Sequence, residues 1–573
     1  MTWPTGRGEI DFTWQGTVTG SAEGVITYSI AGQANRTFWK NRIGFCILHP
    51  GEVAGSACRI LHADGVMEAA ALPTHIIPHQ PLKPFEEMAG LAYEAMPSVW
   101  VETDFTGDIF EMEDQRNWTD ASFKTFSTPL RLPYPVQLHA GEKVVQTLTL
   151  RVSDARGDAQ PVMPREEARV KFAPLHNAQP VPLPAIGLGV ATHGRPLTSV
   201  EVGRMAILHP HHLRADLWPA APDAETELRR ATEDAHALGI GLELALFLGD
   251  SIEAELAQAY ELLTRVRPPI AAWLVFPATE MFWGGSPIAQ VVAAARPVLK
   301  TYADSPLGSG TNADFIFMQR NLPPLEAVDL LAYAVNPQVH AFDNLSLIET
   351  LACQGATVRS AQRLGKGRPV YVTPVTLKMR HNPYATANAS ATPAGELPPQ
   401  VDPRQMSLFG AAWTLGSIKR LAESGAASVT YYETTGWRGV MEERAGAAVP
   451  QKFHSVAGGV FPLYHVLADI ATFAGGEVLP ATSTDALAVD GLVLRAGGAV
   501  RYLVANLSPK PQQVEIAGLG AQVFVRMLDA SNVLEAMVVP GDFRMLSGEP
   551  HETASGQLTL MLAPYAVARL DTH

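Results

Sequence analysis

The feature that most constrains the fold is a series of eight short apolar segments that alternate with helix-like segments between residues 186 and 433. The apolar segments are IGLGV, HLRADL, GLELALFL, AAWLVF, PLGSGT, LLAYAV, PVYVTPV and SVTYYE. The segments between them, such as EAELAQAYELLTRV, carry apolar residues at helical spacing. Eight strand-helix repeats in about 290 residues are typical of a closed barrel. The sequence therefore predicts a (β/α)₈ TIM-type barrel, with an open doubly wound sheet as the alternative.

Both flanks of this region have the pattern of antiparallel β-sandwich domains. Before it, short alternating segments such as GVITYSIAG and KVVQTLTLRVS are separated by Gly, Pro and Asp turns. After it, the pattern returns in GLVLRAGG, VRYLVANLS and LTLMLAPYAVARLD. The run NAQPVPLPA has the proline content of a linker. We therefore predict a multidomain α/β protein with an N-terminal β-sandwich over residues 1–178, the barrel over 179–472 and a C-terminal β-sandwich over 473–573.

Charge and cysteine content argue against several classes of protein. The formal net charge is −14 and no dense run of Lys and Arg occurs, which disfavours a nucleic-acid partner and an anionic membrane surface. No stretch approaches the ~18 consecutive apolar residues of a membrane span, and the N-terminus lacks a signal-peptide pattern. Three cysteines are too few for a disulfide framework. We therefore expect a cytoplasmic protein without nucleic-acid or membrane partners, and the sequence allows a homo-oligomer.

The candidate active site lies where the barrel strands end, because active sites of this fold form at the carboxyl ends of the strands. The polar and aromatic residues at these positions are His193, Asp216, Asp250, Glu280, Asn312, Asp314, Asn336, His340, Asp343, Lys378, Arg380, His381, Glu433, Trp437 and Arg438. Glu433 in TYYETTGWRG is the strongest catalytic candidate, and a structural ion pair with Arg438 is the alternative role. We predict that Arg438 binds substrate and that Tyr432 and Trp437 stack on a sugar ring.

Two other barrel loops supply candidate catalytic groups. Glu280, in VFPATEMFWGG after the fourth strand, has the position of an acid/base partner, although it could also be ordinary loop surface. In NPQVHAFDN after the sixth strand, His340 brings a titratable imidazole. Asn336 of that loop and Asn312 after the fifth strand are predicted to bind substrate. A role of Asn336 in stabilising its own loop is the alternative.

A loop of the N-terminal domain, FEMEDQRNWTDASFKTF, is unusually polar for a β-edge loop. Its predicted substrate-binding residues are Glu113, Asp114, Arg116, Asn117 and Trp118. A Trp among amide and charged groups suits contacts to a carbohydrate, so we interpret the loop as one that inserts toward the barrel mouth. A solvated hairpin tip is the alternative interpretation.

Motifs for cofactors and metals do not occur in the sequence. GLGVATHG lacks the glycine pattern of a dinucleotide site, and the P-loop and G-x-S-x-G motifs are both missing. His209, His211 and His212 precede the second strand, so they should lie at the end of the barrel opposite the active site. We therefore predict that the protein uses neither a metal nor a cofactor.

Four segments resemble those of a known family. They are FWKNRIGFCILHP (38–50), MEDQRNWTDASFKTF (112–126), NPQVHAFDN (336–344) and YYETTGWRG (431–439). Together they resemble the D-apionate lactonases of bacterial apiose catabolism, and the resemblance covers all three predicted domains. It implies a hydrolase of a carboxylic ester that converts a small sugar lactone, D-apionolactone, to D-apionate. It implies no catalytic residue, so the candidates above rest on position.

Two other functions stay open from the sequence. Lactone hydrolysis needs an activated water, a stabilised oxyanion and a proton for the departing alkoxide. A glycoside hydrolase acting on an apiose- or uronic-acid-containing glycan would use a similar pair of carboxylates. A non-catalytic carbohydrate-binding protein would hold a sugar in the same barrel mouth.

Overall fold

The computed structural model describes residues 3–5, 8–154, 169–279, 288–384 and 392–572. These residues form two compact units. The first contains the described residues up to 117 and those from 121 to 154, whereas the second contains Trp118–Asp120 and the described residues from 169 onward. Among the helices of these ranges, none is long and apolar enough to cross a membrane.

The first unit is built from antiparallel strands, as the N-terminal pattern predicts. Its strands are β1 (Trp3–Thr5), β2 (Gly8–Ile10), β3 (Phe12–Gly20), β4 (Ile26–Ala34), β5 (Phe38–Lys40), β6 (Cys46–Pro50), β7 (Ala57–His62), β8 (Met67–Ala71), β9 (Met88–Met96), β10 (Val99–Thr106), β11 (Glu111–Asp114), β12 (Ser122–Phe126), β13 (Val136–Leu138) and β14 (Lys143–Asp154). The main sheet has the strand order β3-β4-β14-β10-β9-β7-β8, and β11-β12-β6 form a second sheet. Phe85, Phe110 and Phe123 are fully buried in the core of this unit.

The second unit contains the remaining strands and the α-helices of the described chain. Its strands are β15 (Val170–Pro174), β16 (Val181–Pro182), β17 (Ala185–Gly189), β18 (His212–Leu217), β19 (Gly241–Leu248), β20 (Ile270–Pro277), β21 (Leu307–Gly310), β22 (Leu330–Val335), β23 (Val370–Val375), β24 (Ser428–Glu433), β25 (Glu477–Leu479), β26 (Ala481–Ser483), β27 (Val489–Ala496), β28 (Ala499–Asn506), β29 (Gln512–Ala517), β30 (Gln522–Leu528), β31 (Glu549–Glu552), β32 (Gln557–Leu562) and β33 (Val567–Thr572). Its helices are α1 (Ser199–Ile207), α2 (Ala224–Leu238), α3 (Ile252–Val266), α4 (Ile288–Tyr302), α5 (Phe315–Arg320), α6 (Asn344–Glu349), α7 (Leu351–Leu364), α8 (Leu408–Glu423), α9 (Pro462–Ala471), α10 (Val533–Val538) and α11 (Pro540–Met545).

Eight parallel strands close into a barrel in the order β17 to β24, which confirms the predicted TIM-type fold. The predicted strands HLRADL, GLELALFL, LLAYAV and SVTYYE coincide with β18, β19, β22 and β24. Helices follow the strands because each strand-helix unit buries its apolar helix face against the outside of the barrel. This closure brings the eight strand ends, and the loops that follow them, to one face of the barrel.

The barrel contains a buried polar group around His212 and Glu243. His212 Nε2 lies 2.8 Å from Thr430 Oγ1 and 3.6 Å from Glu243 Oε2. Glu243 Oε1 accepts hydrogen bonds from Thr430 Oγ1 and Thr373 Oγ1. Burial lowers the pKa of His212 below its usual value, which keeps the ring neutral at pH 7. Gly187 of β17 faces this ring, and a Cβ built at Gly187 would overlap its Nε2 atom.

The C-terminal strands form two sheets whose facing side chains share one core. Their orders are β26-β15-β29-β32 and β16-β25-β27-β28-β33-β30-β31. Strand β15 pairs with β29 in parallel and with β26 in antiparallel orientation. Strand β15 lies in the segment that the sequence assigned to residues 1–178, yet it pairs within the C-terminal sheet. Phe172 of β15 is fully buried there beside Val493 and Val514.

A buried carboxylate joins α9 to the C-terminal sheets. The two carboxylate oxygens of Asp469 lie 2.7 and 2.6 Å from Arg526 Nη2, and Oδ1 lies 3.1 Å from Arg544 Nη1 and 3.4 Å from Arg569 Nη1. Burial alone would raise the pKa of Asp469, but the guanidinium groups outweigh it and lower the pKa. Because removing one partner of a buried ion pair leaves an uncompensated charge, this cluster strongly fixes α9 in place.

We expect Gly187→Ala to destabilise the barrel, since the new methyl group must displace the buried His212 ring. Overpacking of this kind costs about 1–3 kcal/mol. Gly203→Ala is the matched control, because Gly203 is an exposed residue of α1 with nothing within 4 Å of an added Cβ. Ala is favoured over Gly inside a helix by up to about 1 kcal/mol, so this variant should be stabilised. Urea denaturation measures both free energies of unfolding. Equal stability of the two variants would contradict the packing described for His212.

Candidate active site

The carboxyl ends of β17, β18, β23 and β24, together with residues of α2, line a depression that opens to solvent. Thr192, Asp216, Arg380 and Glu433 are among its lining residues, together with Arg214 of β18. Arg214 is in the middle of β18, and each of the others belongs to a strand end or to the loop that follows one. This is the face of the barrel at which the active sites of this fold are found. We therefore take the depression as the candidate active site.

Glu433 is held with its two carboxylate oxygens in different surroundings, and its side chain is only 5% exposed. Oε2 accepts hydrogen bonds from Thr192 N at 3.1 Å and Thr192 Oγ1 at 3.0 Å. Oε1 lies 2.9 Å from Arg438 Nη2, an ion-pair distance, but in a geometry that does not form a hydrogen bond. Within the described chain, Oε1 accepts no hydrogen bond. The ion pair with Arg438 therefore exists, and Oε1 is a buried acceptor to which no group of the described chain donates a hydrogen bond.

The position of Glu433 depends on a β-bulge at the residue before it. In the pairing of β17 with β24, Leu188 faces Tyr431 and Gly189 faces Glu433, so Tyr432 is skipped. Tyr432 has a φ of 50°, in the left-handed region that non-glycine residues rarely adopt. Side chains of a regular strand alternate between faces, so the extra residue reverses the alternation and turns Glu433 to the barrel interior.

The stacking role predicted for Tyr432 is not supported by its placement. Its side chain is 1% exposed, and its hydroxyl lies 2.8 Å from Thr414 Oγ1 of α8. The bulge turns the ring toward this helix, which leaves it no free face for a sugar. Trp437 is half-buried in the loop after β24, and its role stays a prediction. Glu280, the predicted acid/base partner, lies outside the described residues.

Two guanidinium groups hold Asp216 beside Glu433. Arg214 donates from Nε to Asp216 Oδ1 at 3.2 Å, and Arg380 donates from Nη2 to Asp216 Oδ2 at 2.8 Å. Arg214 also donates to Thr373 Oγ1 at 3.0 Å and to Asn312 Oδ1 at 2.6 Å. Asn312, a predicted substrate-binding residue, is thus a partner of Arg214 in this structure.

The charges of this network stabilise one another. Burial alone would raise the pKa of Asp216, but Arg380 and Arg214 outweigh it and lower the pKa, so the carboxylate is ionised at neutral pH. Burial opposes the charge of Arg380, yet the carboxylates of Asp216 and Glu433 outweigh it and raise its pKa. Burial lowers the pKa of Arg438, and the nearby Glu433 carboxylate offsets only part of this decrease. Fixed positive charge beside Glu433 suits a developing oxyanion or a product carboxylate.

A second polar group lies in the loops after β21 to β23, together with Trp118. Trp118 Nε1 donates to Tyr384 Oη at 2.6 Å, and Tyr384 Oη donates to Asp314 Oδ2 at 3.2 Å. Asn336 Nδ2 donates to Asp314 Oδ1 at 3.1 Å. Burial and the Asp314 carboxylate raise the pKa of Tyr384, which keeps its hydroxyl protonated. Trp118 packs against Phe317 in the same group.

His340 is oriented by a carboxylate of this second group. Its Nδ1 lies 2.6 Å from Asp120 Oδ2, and its ring packs edge-on against Trp118 with the centroids 5.5 Å apart. The His340 side chain is 41% exposed. A carboxylate at Nδ1 favours the tautomer in which Nε2 is the proton acceptor. This arrangement suits proton transfer.

The other predicted residues of the polar loop have structural partners within the first unit. Glu113 forms an ion pair with Lys124, and Asp114 Oδ2 lies 2.8 Å from Arg116 Nη2. Asn117 Nδ2 donates to two backbone carbonyls at 2.7 and 2.8 Å. Arg116 is 3% exposed and Asn117 is fully buried. These contacts do not support direct substrate binding by Glu113, Asp114, Arg116 and Asn117. Their substrate-binding role stays a prediction.

Sequence reasoning missed Arg214, Thr192 and Asp120. A signal for Arg214 exists, because His212, Arg214 and Asp216 recur at every second position of one apolar strand. At this spacing they share one face, and polar groups of an otherwise apolar barrel strand are expected to point inward. Thr192 and Asp120 have no such signal, since only the folded chain shows what they contact. Among the described residues, no three His, Cys, Asp or Glu side chains form a group that could hold a metal.

Solved structures of glycoside hydrolases align with this chain at low identity and with TM-scores below 0.5. A glycoside hydrolase family 30 endoxylanase from Clostridium papyrosolvens aligns with 11% identity and a TM-score of 0.47, covering 71% of this chain and 100% of that one. A family 51 α-L-arabinofuranosidase from Bifidobacterium longum aligns with 12% identity and a TM-score of 0.48, covering 70% of this chain and 99% of that one.

Comparisons of the sequence identify a family along the three predicted domains. The family models that match describe the N-terminal domain of D-apionate lactonase over residues 2–155, its TIM barrel domain over 186–475 and its C-terminal immunoglobulin-like domain over 486–570. A D-apionate lactonase from Brucella anthropi is 31% identical over 510 residues, which cover 86% of this chain and 80% of that protein. The matches confirm the family that the four sequence segments resemble: this chain belongs to the D-apionate lactonase family.

Proposed function

We propose that this protein hydrolyses D-apionolactone to D-apionate in the depression at the carboxyl end of the barrel, with Glu433 as the base that activates water. Membership of the D-apionate lactonase family supports the reaction. One observation carries the assignment of the base. Thr192 fixes Oε2 of Glu433, whereas Oε1 is a buried acceptor that receives no hydrogen bond from the described chain, in a residue that lines the depression.

In this mechanism, Glu433 takes a proton from water as the water oxygen bonds to the lactone carbonyl carbon. The carbonyl oxygen becomes an oxyanion beside the guanidinium groups of Arg438 and Arg380, which stabilise its charge. Collapse of the tetrahedral intermediate breaks the ring C–O bond. The departing alkoxide takes the proton back from Glu433 and becomes the new hydroxyl group. The carboxylic acid product then loses its proton to solvent, and Glu433 is again ionised.

Arg214 and Asp216 act as positioning residues in this proposal. Asp216 bonds Arg380 from one side, and Arg214 bonds Asp216 from the other. Asn312 in turn accepts a hydrogen bond from Arg214. Preorganised charges of this kind need no rearrangement when the oxyanion forms, which is the main source of their effect. The cationic groups therefore stay in place through the reaction.

The second polar group contributes a proton-transfer residue in the same proposal. His340, oriented by Asp120, exchanges a proton with a hydroxyl group of the substrate. Trp118 supplies an apolar wall beside the imidazole, and Asn336 fixes the Asp314 carboxylate that supports Tyr384. Trp437 and Arg438 complete the substrate contacts on the opposite loop.

We expect Glu433→Gln to lower kcat for D-apionolactone by about 10²–10⁴-fold, because Gln keeps the shape of the side chain and loses its basicity. The release of acid in a pH-stat measures ring opening directly. Glu442→Gln is the matched control. Glu442 is in the loop that follows β24, is only 1% exposed and accepts a hydrogen bond from Ser455. The control should keep kcat within about fivefold, a barrier change of ~1 kcal/mol.

A near-normal kcat for Glu433→Gln, with a lowered melting temperature, would reduce Glu433 to the structural partner of Arg438. Release of nitrophenol from nitrophenyl glycosides, with no opening of the lactone, would instead assign the barrel to glycoside hydrolysis. Binding of both ligand types without turnover would make the protein a carbohydrate-binding protein.

We expect His340→Gln to lower kcat by about 10²-fold or more if its imidazole transfers a proton. Asp120→Asn should change the pH dependence of kcat as well as its size, because the amide no longer fixes the tautomer of His340. Leu345→Ala is a control at a 61% exposed position near the same loop and should leave both quantities unchanged. Unchanged pH profiles for both His340 and Asp120 variants would remove this pair from the mechanism.

A further inference from the structure

The main sheet of the first unit ends in a strand with one unpaired edge. Strand β3 is the terminal strand of the seven-stranded sheet and pairs with β4 in unbroken register, from Phe12 opposite Ala34 to Gly20 opposite Ile26. Within the described ranges, no strand pairs with its other edge. Eight of its nine residues are exposed, which means that both faces of the strand are uncovered. Its outer edge therefore offers a row of backbone N–H and C=O groups to a further strand.

The two edges of the sheet differ in how they are protected. Strand β8, at the opposite edge, has five residues and carries Glu68, whose Oε2 lies 3.2 Å from His62 Nε2. Strand β3 reads FTWQGTVTG and has no charged residue, no proline and no register shift. Proteins usually protect exposed edges with charges, prolines, bulges or short strands. Because β3 uses none of these devices, its edge is suited to pairing rather than to lasting exposure.

The sequence of β3 is self-complementary about its middle residue, Gly16. Trp14 and Val18 lie two positions on either side of Gly16, and Thr13 and Thr19 lie three positions on either side. An antiparallel pairing about a two-fold axis at Gly16 would place Trp14 opposite Val18 of the partner subunit on one face. On the other face it would place Thr13 opposite Thr19 of the partner subunit. Aromatic pairs with β-branched residues and Thr–Thr pairs both stabilise neighbouring antiparallel strands.

We propose that a second copy of this chain pairs with β3, antiparallel about a two-fold axis at Gly16, and joins two seven-stranded sheets into one. A two-fold interface of this kind uses the same surface of both copies, which the symmetric pattern of β3 provides. Exposed apolar side chains lie on this strand and on its neighbour: Trp14 is 49% exposed, Val18 63% and Tyr28 of β4 38%. Covering them removes apolar surface from water and adds to the backbone hydrogen bonds.

The mass of the protein in solution, measured by light scattering during size-exclusion chromatography, tests this pairing. The wild-type chain should elute at twice the chain mass of 61.6 kDa. The double variant Trp14→Lys/Val18→Lys should elute at the chain mass, because each Lys would face a Lys of the other copy and like charges opposite one another oppose pairing. Both positions are exposed, so the variant should keep its melting temperature and its lactonase activity. A monomeric wild-type protein would overturn the proposal.

Met67→Lys/Met96→Lys is the matched control, since it adds the same charge at two exposed methionines away from β3, at 62% and 56% exposure. This variant should remain dimeric. Loss of the dimer in the control and in the β3 variant alike would attribute the effect to net charge and overturn the proposal.

A cross-linking experiment tests the register. In a Cys46→Ser background, Gln15→Cys/Thr17→Cys places two cysteine pairs opposite each other across the two-fold axis, where the Cβ atoms approach within disulfide range. Mild oxidation should give a covalent dimer that a reductant dissolves, and Gln15→Cys alone should give little. A dimer that persists in the Trp14→Lys/Val18→Lys variant would use another surface and would overturn the proposal. A dimer of the Gln15→Cys/Thr17→Cys variant that does not cross-link would overturn it as well.

Discussion

The β-bulge at Tyr432 decides which side chains the eighth strand contributes to the barrel mouth. Tyr431 and Tyr432 both reach α8, where their hydroxyls bond Ser417 and Thr414 at 2.7 and 2.8 Å. The residue after them, Glu433, consequently points inward. A left-handed conformation at a non-glycine residue costs about 1–3 kcal/mol. The two buried hydroxyl contacts with α8 offset this cost, so the packing of a helix on the outside of the barrel maintains the orientation of the candidate base on the inside.

The inward position of Glu433 would be unfavourable without compensating charge. A buried carboxylate requires partners, and here Thr192 and Arg438 supply them. Asp216 in turn neutralises part of the positive charge of Arg214 and Arg380. Counted over these described side chains, three guanidinium groups face two carboxylates. These guanidinium groups favour the negatively charged intermediate and product of ester hydrolysis over the neutral lactone.

The sequence predicted the parts of this structure that depend on local pattern. Periodicity located the barrel strands, and the rule that sites form at strand ends selected Glu433. Prediction from the sequence failed where the position of a side chain depends on contacts with residues far away in the chain. Nothing in TYYETT signals a bulge, because a tyrosine rarely adopts a positive φ, and the stacking role of Tyr432 was predicted from its place beside Glu433. Arg116 and Asn117 have the residue types of a binding loop, but their partners are backbone carbonyls some forty residues earlier in the chain. The parallel pairing of β15 with β29 is equally remote in sequence.

A crystal structure of the Glu433→Gln variant with D-apionolactone tests whether Glu433 activates water at the barrel mouth. The lactone should occupy the depression lined by Thr192 and Arg380, with a water between the substituted amide side chain and the carbonyl carbon. Reacting atoms in such complexes lie ~3–3.5 Å apart. The carbonyl oxygen should face Arg438 or Arg380. Lactone bound elsewhere, for example in the apolar cavity at the amino end of the barrel beside Ile186 and Leu467, would contradict catalysis by Glu433.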